Sequence, residues 1–446
     1  MTTIMNKIAL YIFFLLLLQI VGCKDKESLG HDGTKPIVIE KFLPLEGEGG
    51  TEMMIFGHNF SLDTNQVTVY INGVKARITG INTERILLIV PQDAGTGLVE
   101  IQIGDNQVKS SVPFKFPPVY RWRMETLAGS GVAGYADGKG RSAQFNFARA
   151  PGLAVDVDGN VYVADAGNHR IRKISPDGTV ETIAGNGVAG YLDGPALQAR
   201  FDTPFDVAVD KDRNLYVADT WNAKLRKISP DGQVSTVTGV GDIVNIAIDP
   251  RNNKIYVSSL TNGTVYEVDN GGSLRAVVSG MDWISGITIN QQGMLYVVET
   301  GKSVVHQVDL KGFSGEPLQA TVVAGTHGVA GYLDGLGLSA KFDRPWGIAC
   351  NTTTGELYLA GDSGPYGGPW YGDGGNNTNQ CIRLIKPAKW AVTTFFGGTE
   401  RGFVDGLEDQ ARLNNPTGVA VGPNGDVYVV DANNHSIRRI IKEEVL

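Results

Sequence analysis

Aromatic side chains beside aspartate and asparagine are the residues of this sequence best suited to bind a ligand. Trp370 and Tyr371 stand with Tyr366 in a glycine-rich stretch, residues 361–380, that also supplies aspartate and asparagine. In a glycine-rich loop, large aromatic rings have little hydrophobic core to pack against. Partly exposed rings can stack on the C–H face of a sugar while carboxylate and amide groups bond its hydroxyls. The alternative is that the rings pack the loop against the rim of its domain.

Further candidates fall at the ends of predicted strands. Trp221 lies in a loop that follows a strand, Trp346 precedes a strand, and Trp283 lies in a connection between two repeats. Asp206 and Asn245 occupy a strand start at which most repeats have glycine. These five side chains either extend the ligand site or pack within the domain, and packing is the favoured interpretation for Trp221 and Trp346.

Catalytic and metal chemistry have little support. The six histidines are scattered with no ligand spacing, and neither Gly-x-Ser-x-Gly nor a Cys/His pairing stands out. His169 and His435 recur in an Asn-His pattern, which indicates a structural role. An oxygen-ligand calcium site built from Asp206, Asn245 and Asp282 stays open as an alternative. We therefore predict a protein that is not an enzyme and needs no cofactor, with calcium unproven.

The elements that position these residues form an internal repeat. The motif Val161-Tyr162-Val163-Ala164-Asp165 returns five times with its tyrosine kept, and the six tyrosines are spaced by 54, 40, 40, 62 and 70 residues. Their positions are Tyr162, Tyr216, Tyr256, Tyr296, Tyr358 and Tyr428. A unit of about 40 residues with variable insertions is typical of β-propeller blades, each of four strands.

The two ends of the repeat region complement each other. The last copy stops after its third strand, at Ile440-Ile441, while Glu125-Thr126-Leu127-Ala128-Gly129 precedes the first copy and matches the fourth strand at 181–185. Pairing this leading strand with the last copy removes an exposed edge. The sequence thus predicts a closed six-bladed propeller over residues 119–446.

The two faces of this propeller are predicted to differ. One carries only tight turns such as Asp158-Gly159-Asn160, whereas the other carries long connections with a shared Gly-(Tyr/Phe)-x-Asp-Gly core. The four cores span residues 134–138, 190–194, 331–335 and 402–406. We expect their aspartates to bond turn amides and to scaffold the loops. The alternative is a ring of calcium or sugar ligands. The ligand site is predicted on this second face, called the loop face below.

The amino-acid composition indicates a protein of short strands and tight turns and argues against a nucleic-acid partner. Glycine supplies 58 of 446 residues without a Gly-X-Y period, which with 42% hydrophobic residues indicates many short strands and tight turns. Lys+Arg number 39 against 47 Asp+Glu, so the net charge is −8 and nucleic acid is excluded as a partner. Cys350 and Cys381 are predicted on strands one and three of one blade, about 9.5 Å apart, too far for a disulfide. They should be free and buried.

The N-terminal part has three sections. Lys7 and an apolar run from Ile8 to Val21 predict a signal peptide over residues 1–22. Residues 23–35 should form a solvated tether. Residues 36–118 alternate polar and apolar side chains between turns, which predicts a small immunoglobulin-like sandwich.

Several of these motifs resemble known families. Gly57-His58-Asn59-Phe60 with Ile71-Asn72-Gly73-Val74 resembles an IPT/TIG domain, and the run from Tyr162 to Ile171 resembles the NHL repeat. The end of the signal, Gln19 to Cys23, resembles a bacterial lipobox, which implies acylation of Cys23. Lys24 to Glu27 is similar to the export tag of Bacteroidota surface lipoproteins.

The whole arrangement is similar to surface lipoproteins of Bacteroidota that serve as auxiliary nutrient-binding, often glycan-binding, proteins. The resemblance implies lipid anchoring in the outer membrane with display at the cell surface, and binding of an extracellular glycan or other nutrient. Two alternatives stay open. One is a lyase or lactonase with a metal in the propeller channel, as in related six-bladed enzymes, and the other is a protein–protein platform in an outer-membrane uptake complex.

Overall fold

The computed structural model describes residues 30–147, 149–361 and 380–445. The chain divides into two compact units that part between Val119 and Tyr120. Within the described ranges no helix is long and apolar enough to cross a membrane. The predicted signal peptide and Cys23 lie outside the described residues. Within the described residues, helical structure is confined to single 3₁₀ turns at Gly140–Ser142, Ala166–Asn168, Thr220–Asn222, Thr300–Lys302, Leu310–Gly312, Gly337–Ser339 and Ala432–Asn434.

The first unit is a sandwich of two antiparallel sheets. Its strands are β1 (Val38–Leu43), β2 (Glu52–His58), β3 (Val67–Ile71), β4 (Val74–Lys75), β5 (Arg77–Ile81), β6 (Arg85–Ile89), β7 (Gly97–Ile103) and β8 (Asn106–Phe114). One sheet has the order β1-β2-β6-β5 and the other β4-β3-β7-β8. Alternate residues of the central strands β2, β3, β6 and β7 are buried, such as Val67, Val69 and Ile71 of β3, because one face of each sheet meets the core. The immunoglobulin-like prediction is confirmed.

The second unit opens with β9 (Val119–Ala128) and continues as a series of blades. Blade 1 holds β10 (Gly138–Lys139), β11 (Leu153–Val155), β12 (Val161–Asp165), β13 (Arg170–Ile174) and β14 (Thr179–Ala184). Blade 2 holds β15 (Gly194–Pro195), β16 (Pro204–Val209), β17 (Leu215–Asp219), β18 (Lys224–Ile228) and β19 (Gln233–Gly239). Blade 3 holds β20 (Ile243–Ile248), β21 (Ile255–Ser259), β22 (Thr264–Val268) and β23 (Leu274–Val278).

The remaining blades follow the same plan. Blade 4 holds β24 (Ile284–Ile289), β25 (Met294–Glu299), β26 (Val304–Asp309) and β27 (Thr321–Ala324). Blade 5 holds β28 (Gly335–Leu336), β29 (Ile348–Cys350), β30 (Leu357–Leu359), β31 (Gln380–Lys386) and β32 (Ala391–Gly398). Blade 6 holds β33 (Gly406–Leu407), β34 (Pro416–Val421), β35 (Val427–Asp431) and β36 (Ser436–Val445).

The first strands of these blades surround one axis. In chain order β11, β16, β20, β24, β29 and β34 each contact the next, and β34 contacts β11. The sheet order β33-β9-β36-β35-β34 places β9 as the fourth strand of blade 6, as the matching ends predict. Strands such as β12 are buried along their whole length because both of their faces meet neighbouring blades. The all-β class, a sandwich followed by a propeller, is confirmed.

Cys350 and Cys381 are buried and are not joined in a disulfide, as predicted. Cys350 ends β29, the first strand of blade 5, and Cys381 lies in β31, its third strand. Burial raises the pKa of the Cys350 thiol to about 12, so this thiol stays protonated at neutral pH.

Candidate functional site

The loops of the loop face are rooted in buried ion pairs. Asp165, at the end of β12, accepts a hydrogen bond from Arg172 Nη1 at 2.7 Å and one from Asn168 Nδ2 at 2.8 Å. Neither Asp165 nor Arg172 is exposed. Blades 2 and 6 repeat the pair as Asp219–Arg226 at 2.6 Å and Asp431–Arg438 at 2.7 Å. Such buried pairs persist only when hydrogen bonds satisfy both partners, so these aspartates serve the loops rather than a ligand.

The repeated Gly-(Tyr/Phe)-x-Asp-Gly cores bind the same arginines. Asp137 Oδ1 accepts a hydrogen bond from Arg172 Nη2 at 2.6 Å, and Asp137 Oδ2 accepts one from Thr182 N at 3.2 Å. The Tyr135 ring lies 5.0 Å from the Arg172 guanidinium, a cation–π contact. Asp193, Asp334 and Asp405 pair in the same way with Arg226, Arg383 and Arg438, so the scaffolding interpretation is confirmed for the four aspartates. Their main partner is an arginine of the third strand rather than the turn amides that the sequence suggested.

Asp206 and Asn245 bridge the first strands of three blades. Asp206 Oδ2 accepts hydrogen bonds from Asn245 Nδ2 at 2.9 Å and from Ile246 N at 2.8 Å. Asn245 Oδ1 in turn accepts one from Ile287 N at 2.9 Å. Asp206 is only 3% exposed, and burial raises its pKa to about 8. The carboxyl is therefore largely neutral at physiological pH, and these two side chains connect blades 2, 3 and 4.

Glycine takes the same place in the other blades for a steric reason. Gly152 N donates to Phe205 O at 2.6 Å, and Gly286 N donates to Trp346 O at 2.9 Å. A Cβ on Gly152 would lie 1.9 Å from Asp206 Oδ1. Adjacent first strands approach too closely there for a side chain on every blade. The first strands of all six blades line a cavity of about 240 Å³.

A small apolar cluster, called the apolar closure below, lies where the first strands begin. Trp346, Phe205, Val244 and Leu260 pack together there, with Trp283 half-buried beside them. Trp346 is 4% exposed, so this residue packs within the domain, the interpretation favoured for it from the sequence. Packing these side chains against one another removes their apolar surface from water.

Trp221 is different, because this residue is 59% exposed, and the packing interpretation favoured for it from the sequence is therefore wrong. It lies in the 3₁₀ turn after β17, and its backbone N donates to Asp202 O at 3.2 Å. The matching residues of blades 1, 4 and 6 are Gly167, Gly301 and Asn433, whose N–H groups make the same bond. The repeat therefore needs no side chain here. The guanidinium of the exposed Arg149 lies 5.6 Å from the indole, over one face of the ring.

Three predicted site residues, Tyr366, Trp370 and Tyr371, lie outside the described residues. Their part in a ligand site stays a prediction. Of the remaining candidates, the structure brings Trp346 and Trp283 together in the apolar closure and joins Asp206 to Asn245 beneath it. Trp221 alone among the described candidates presents a largely open ring to solvent.

The titratable groups of the described residues form no cluster of three that could hold a metal ion. Asp282 pairs with Lys302 at 2.8 Å, and the described contacts include no bond from it to Asp206 or Asn245. His169 Nδ1 and His435 Nδ1 each accept a backbone N–H from the next blade, at 3.2 and 3.1 Å. Their predicted structural role is confirmed.

Blade 4 holds a pair that sequence reasoning missed. His306 Nε2 lies 2.6 Å from Glu299 Oε2, and both side chains are almost fully buried. They occupy the positions of Asp165 and Arg172 in blade 1, so aligning the blades by their tyrosine strands would have found them. Hydrogen bonding to His306 lowers the pKa of Glu299 against the effect of its burial, which raises it.

Comparison with known families agrees with this geometry. The NHL repeat model matches residues 147–174 and 413–440, and the IPT/TIG domain model matches residues 37–116. The chain carries NHL repeats and an IPT/TIG domain. The two NHL matches fall on blades 1 and 6, where the buried Asp–Arg pair is complete, and the resemblance predicted from the sequence is confirmed.

The NHL propeller and the IPT/TIG domain together have solved relatives. An auxiliary nutrient binding protein from Bacteroides thetaiotaomicron VPI-5482 is 20% identical with a TM-score of 0.58, covering 94% of this chain and 100% of that chain. Another, from Bacteroides ovatus ATCC 8483, is 22% identical with a TM-score of 0.58, covering 93% of this chain and 100% of that chain. These similarities show a shared fold.

A curated relative is found in Arabidopsis thaliana. The protein SUPPRESSOR OF QUENCHING 1, chloroplastic, is 27% identical over 324 residues, which cover 70% of this chain and 27% of that protein. This chain thus spans about a quarter of that relative's length.

Proposed function

We propose that this protein is a nutrient-binding protein of the cell surface, and that the loop face of its NHL propeller binds an extracellular carbohydrate without transforming it. The shared fold with two Bacteroides proteins named auxiliary nutrient binding proteins supports the nutrient-binding role. The lipobox-like sequence ending at Cys23 supports anchoring to the outer membrane, with the IPT/TIG domain as a spacer. A partnership with an outer-membrane uptake complex belongs to the same proposal.

The exposed indole of Trp221 is the observation that carries the carbohydrate proposal. Trp221 neither packs in the core nor is required by the repeated turn, and the described contact of its ring is with Arg149. The ring presents an apolar surface on which the C–H face of a sugar can stack. Asp202, whose backbone oxygen holds the turn, and Arg149 supply polar groups beside the ring for the sugar hydroxyls.

The aromatic side chains of residues 362–379 complete the proposed site. Tyr366, Trp370 and Tyr371 follow β30 on the strand 2–3 connection of blade 5, the connection that holds Trp221 in blade 2. Trp346 and Asp206, which are buried, and the half-buried Asn245 then form the floor of the proposed site. Calcium is not required by this proposal.

Affinity electrophoresis tests the proposal directly. The soluble form, residues 24–446, is run through gels containing plant, host and microbial polysaccharides, with and without EDTA. We expect retardation by at least one glycan, unchanged by EDTA and without release of product. Trp221→Ala should reduce the retardation, whereas Tyr120→Ala, which removes another exposed ring of the propeller, should not.

The other outcomes separate the alternatives. Retardation lost in EDTA together with release of product would support a metal-dependent lyase or lactonase and contradict the proposal. The absence of retardation by every glycan would contradict carbohydrate binding and favour a protein–protein platform in an uptake complex.

A further inference from the structure

The face opposite the loop face carries a pocket that the sequence did not predict. Its volume is about 300 Å³, at the lower end of the range of small-molecule sites, roughly 300 to 1,000 Å³. It lies at the seam between blades 1 and 6, where only tight turns were expected. Its wall includes Val157 and Pro176 of blade 1 and Gly422, Asn424, Asp426 and Tyr428 of blade 6.

The turns of this face follow a rule that explains the pocket. In blade 1, Asp156 ends the first strand, and its Oδ1 accepts hydrogen bonds from Asp158 N at 3.0 Å and Asn160 N at 2.8 Å. Its Oδ2 accepts one from Tyr162 OH at 3.1 Å. The residue at the equivalent position of blades 2 to 5 also accepts hydrogen bonds from turn N–H groups. These residues are Asp210, Asp249, Asn290 and Asn351.

Blade 6 breaks the rule, because Gly422 stands where the other blades have aspartate or asparagine. The backbone N–H groups of Asn424 and Asp426 consequently find no acceptor among the described residues. The half-buried Asp426 carboxylate likewise accepts no hydrogen bond from them, and its burial raises its pKa. The two donors and the acceptor that lack a described partner belong to residues that line this one pocket, the exposed Asn424 and the half-buried Asp426.

The charges around the pocket limit the kind of ligand it can hold. Arg439 Nε donates to Glu125 Oε1 at 2.9 Å, so this guanidinium is already paired. A ligand carboxylate would be repelled by the Asp426 carboxylate, and the paired Arg439 would not offset that repulsion. A neutral group that both accepts and donates hydrogen bonds satisfies all three unpartnered groups at once.

We propose that this pocket binds a small polyhydroxylated ligand, such as one sugar ring or a polyol. One ligand hydroxyl takes the place of the missing side-chain oxygen and accepts from Asn424 N and Asp426 N. A neighbouring hydroxyl donates to the Asp426 carboxylate, and the C–H surface of the ligand packs on Val157, Pro176 and Pro423. This site lies on the face opposite Trp221, and it does not depend on the loop-face site.

Saturation-transfer NMR on the soluble form tests the site, with D-glucose, D-galactose and myo-inositol as probes. Gly422→Asn supplies the side-chain oxygen that the other blades have; its Cβ would lie 2.9 Å from Tyr428 Cε2, so the substitution requires a small shift of that ring and narrows the pocket. It should raise the Kd of the bound probe at least tenfold, about 1.4 kcal/mol. Gly271→Asn is the matched control on the same face, since this blade 3 turn glycine, like Gly422, lies outside the left-handed region and its Cβ would meet only Asp269 Oδ1, at 3.4 Å. It should leave the Kd unchanged.

A second variant keeps the test decisive if Gly422→Asn fails to fold. Asp426→Asn introduces the residue found at positions 160 and 214 of blades 1 and 2 and weakens the acceptor, so the Kd should rise here too. Equal transfer to wild-type protein, Gly422→Asn and Asp426→Asn would overturn the proposal. So would the absence of transfer from wild-type protein to all three probes. A signal that only Trp221→Ala removes would overturn it while supporting the loop-face site.

Discussion

The carboxylate of Asp165 and the guanidinium of Arg172 lie 2.7 Å apart, and solvent reaches neither. Arg172 also donates to Asp137 at 2.6 Å. One guanidinium thus connects the second strand of blade 1, its third strand and the long connection that leads into the blade. The loop face is therefore held by the propeller core, and its loops have defined roots from which a ligand site can be built.

The first prediction concerns this pair. Arg172→Leu leaves the Asp165 carboxylate buried without its cation, so the free energy of unfolding should fall by about 3 to 5 kcal/mol. Urea unfolding followed by tryptophan fluorescence measures the change. Lys173→Leu, one residue further along β13, breaks a half-exposed pair with Glu181 and should cost about 1 kcal/mol or less. Equal losses in the two variants would contradict the role assigned to Arg172.

The second prediction concerns Asp206. Because burial raises its folded pKa to about 8 from 3.8, the folded state favours the protonated acid. The stability that this group contributes is present below pH 3.8 and is lost as pH rises through about 8. Asp206→Asn resembles the neutral acid and should lose less stability over that range. Thermal unfolding across the range checks this, and parallel curves for the two proteins would contradict it.

The third prediction concerns His435, whose Nδ1 accepts a hydrogen bond from Phe147 N. Burial lowers its pKa from 6.5, so the stability it contributes is present above pH 6.5 and is lost as pH falls through the lowered value. His435→Gln should reduce this acid sensitivity, since Gln380 of blade 5 accepts Asn415 N in the same way. Melting temperatures measured across acidic pH test it, and an unchanged profile would refute the assignment.

The fourth prediction separates two tryptophans. Trp346→Ala empties part of the apolar closure and should lower the free energy of unfolding by about 3 to 5 kcal/mol. Trp221→Ala removes an exposed ring and should change it by about 0.5 kcal/mol or less. Denaturant titration of both variants measures the two changes in the free energy of unfolding. A large loss for Trp221→Ala would make that ring a packing residue and remove the basis of the carbohydrate proposal.

The fold was accessible from the sequence because each blade repeats the same local pattern. The tyrosine strands placed the blades, and the match between residues 125–129 and 181–185 predicted the closing strand. Repetition supplies several independent views of one structural unit, so turns and strand ends could be located without any tertiary information.

The site was less accessible because burial depends on contacts between blades. The positions of Trp346 and Asp206 at the mouth of the first strands were found, but an exposed ring and a buried ring look alike in a sequence. The sequence also shows Gly422 at the position that is aspartate or asparagine in the other blades. Its meaning required the hydrogen bonds of the neighbouring turns, which only the folded chain reveals.

The pairing of β9 with β36 has a consequence for how the chain folds. Glu125 and Arg439, which bond across this seam, are 314 residues apart, so the contact is among the most non-local in the molecule. Contacts of this separation carry a large loop-closure entropy and slow the folding of the whole ring. During synthesis the ring stays open until β36 is available, and the unpaired edge of β9 is exposed to association with other chains for all of that time.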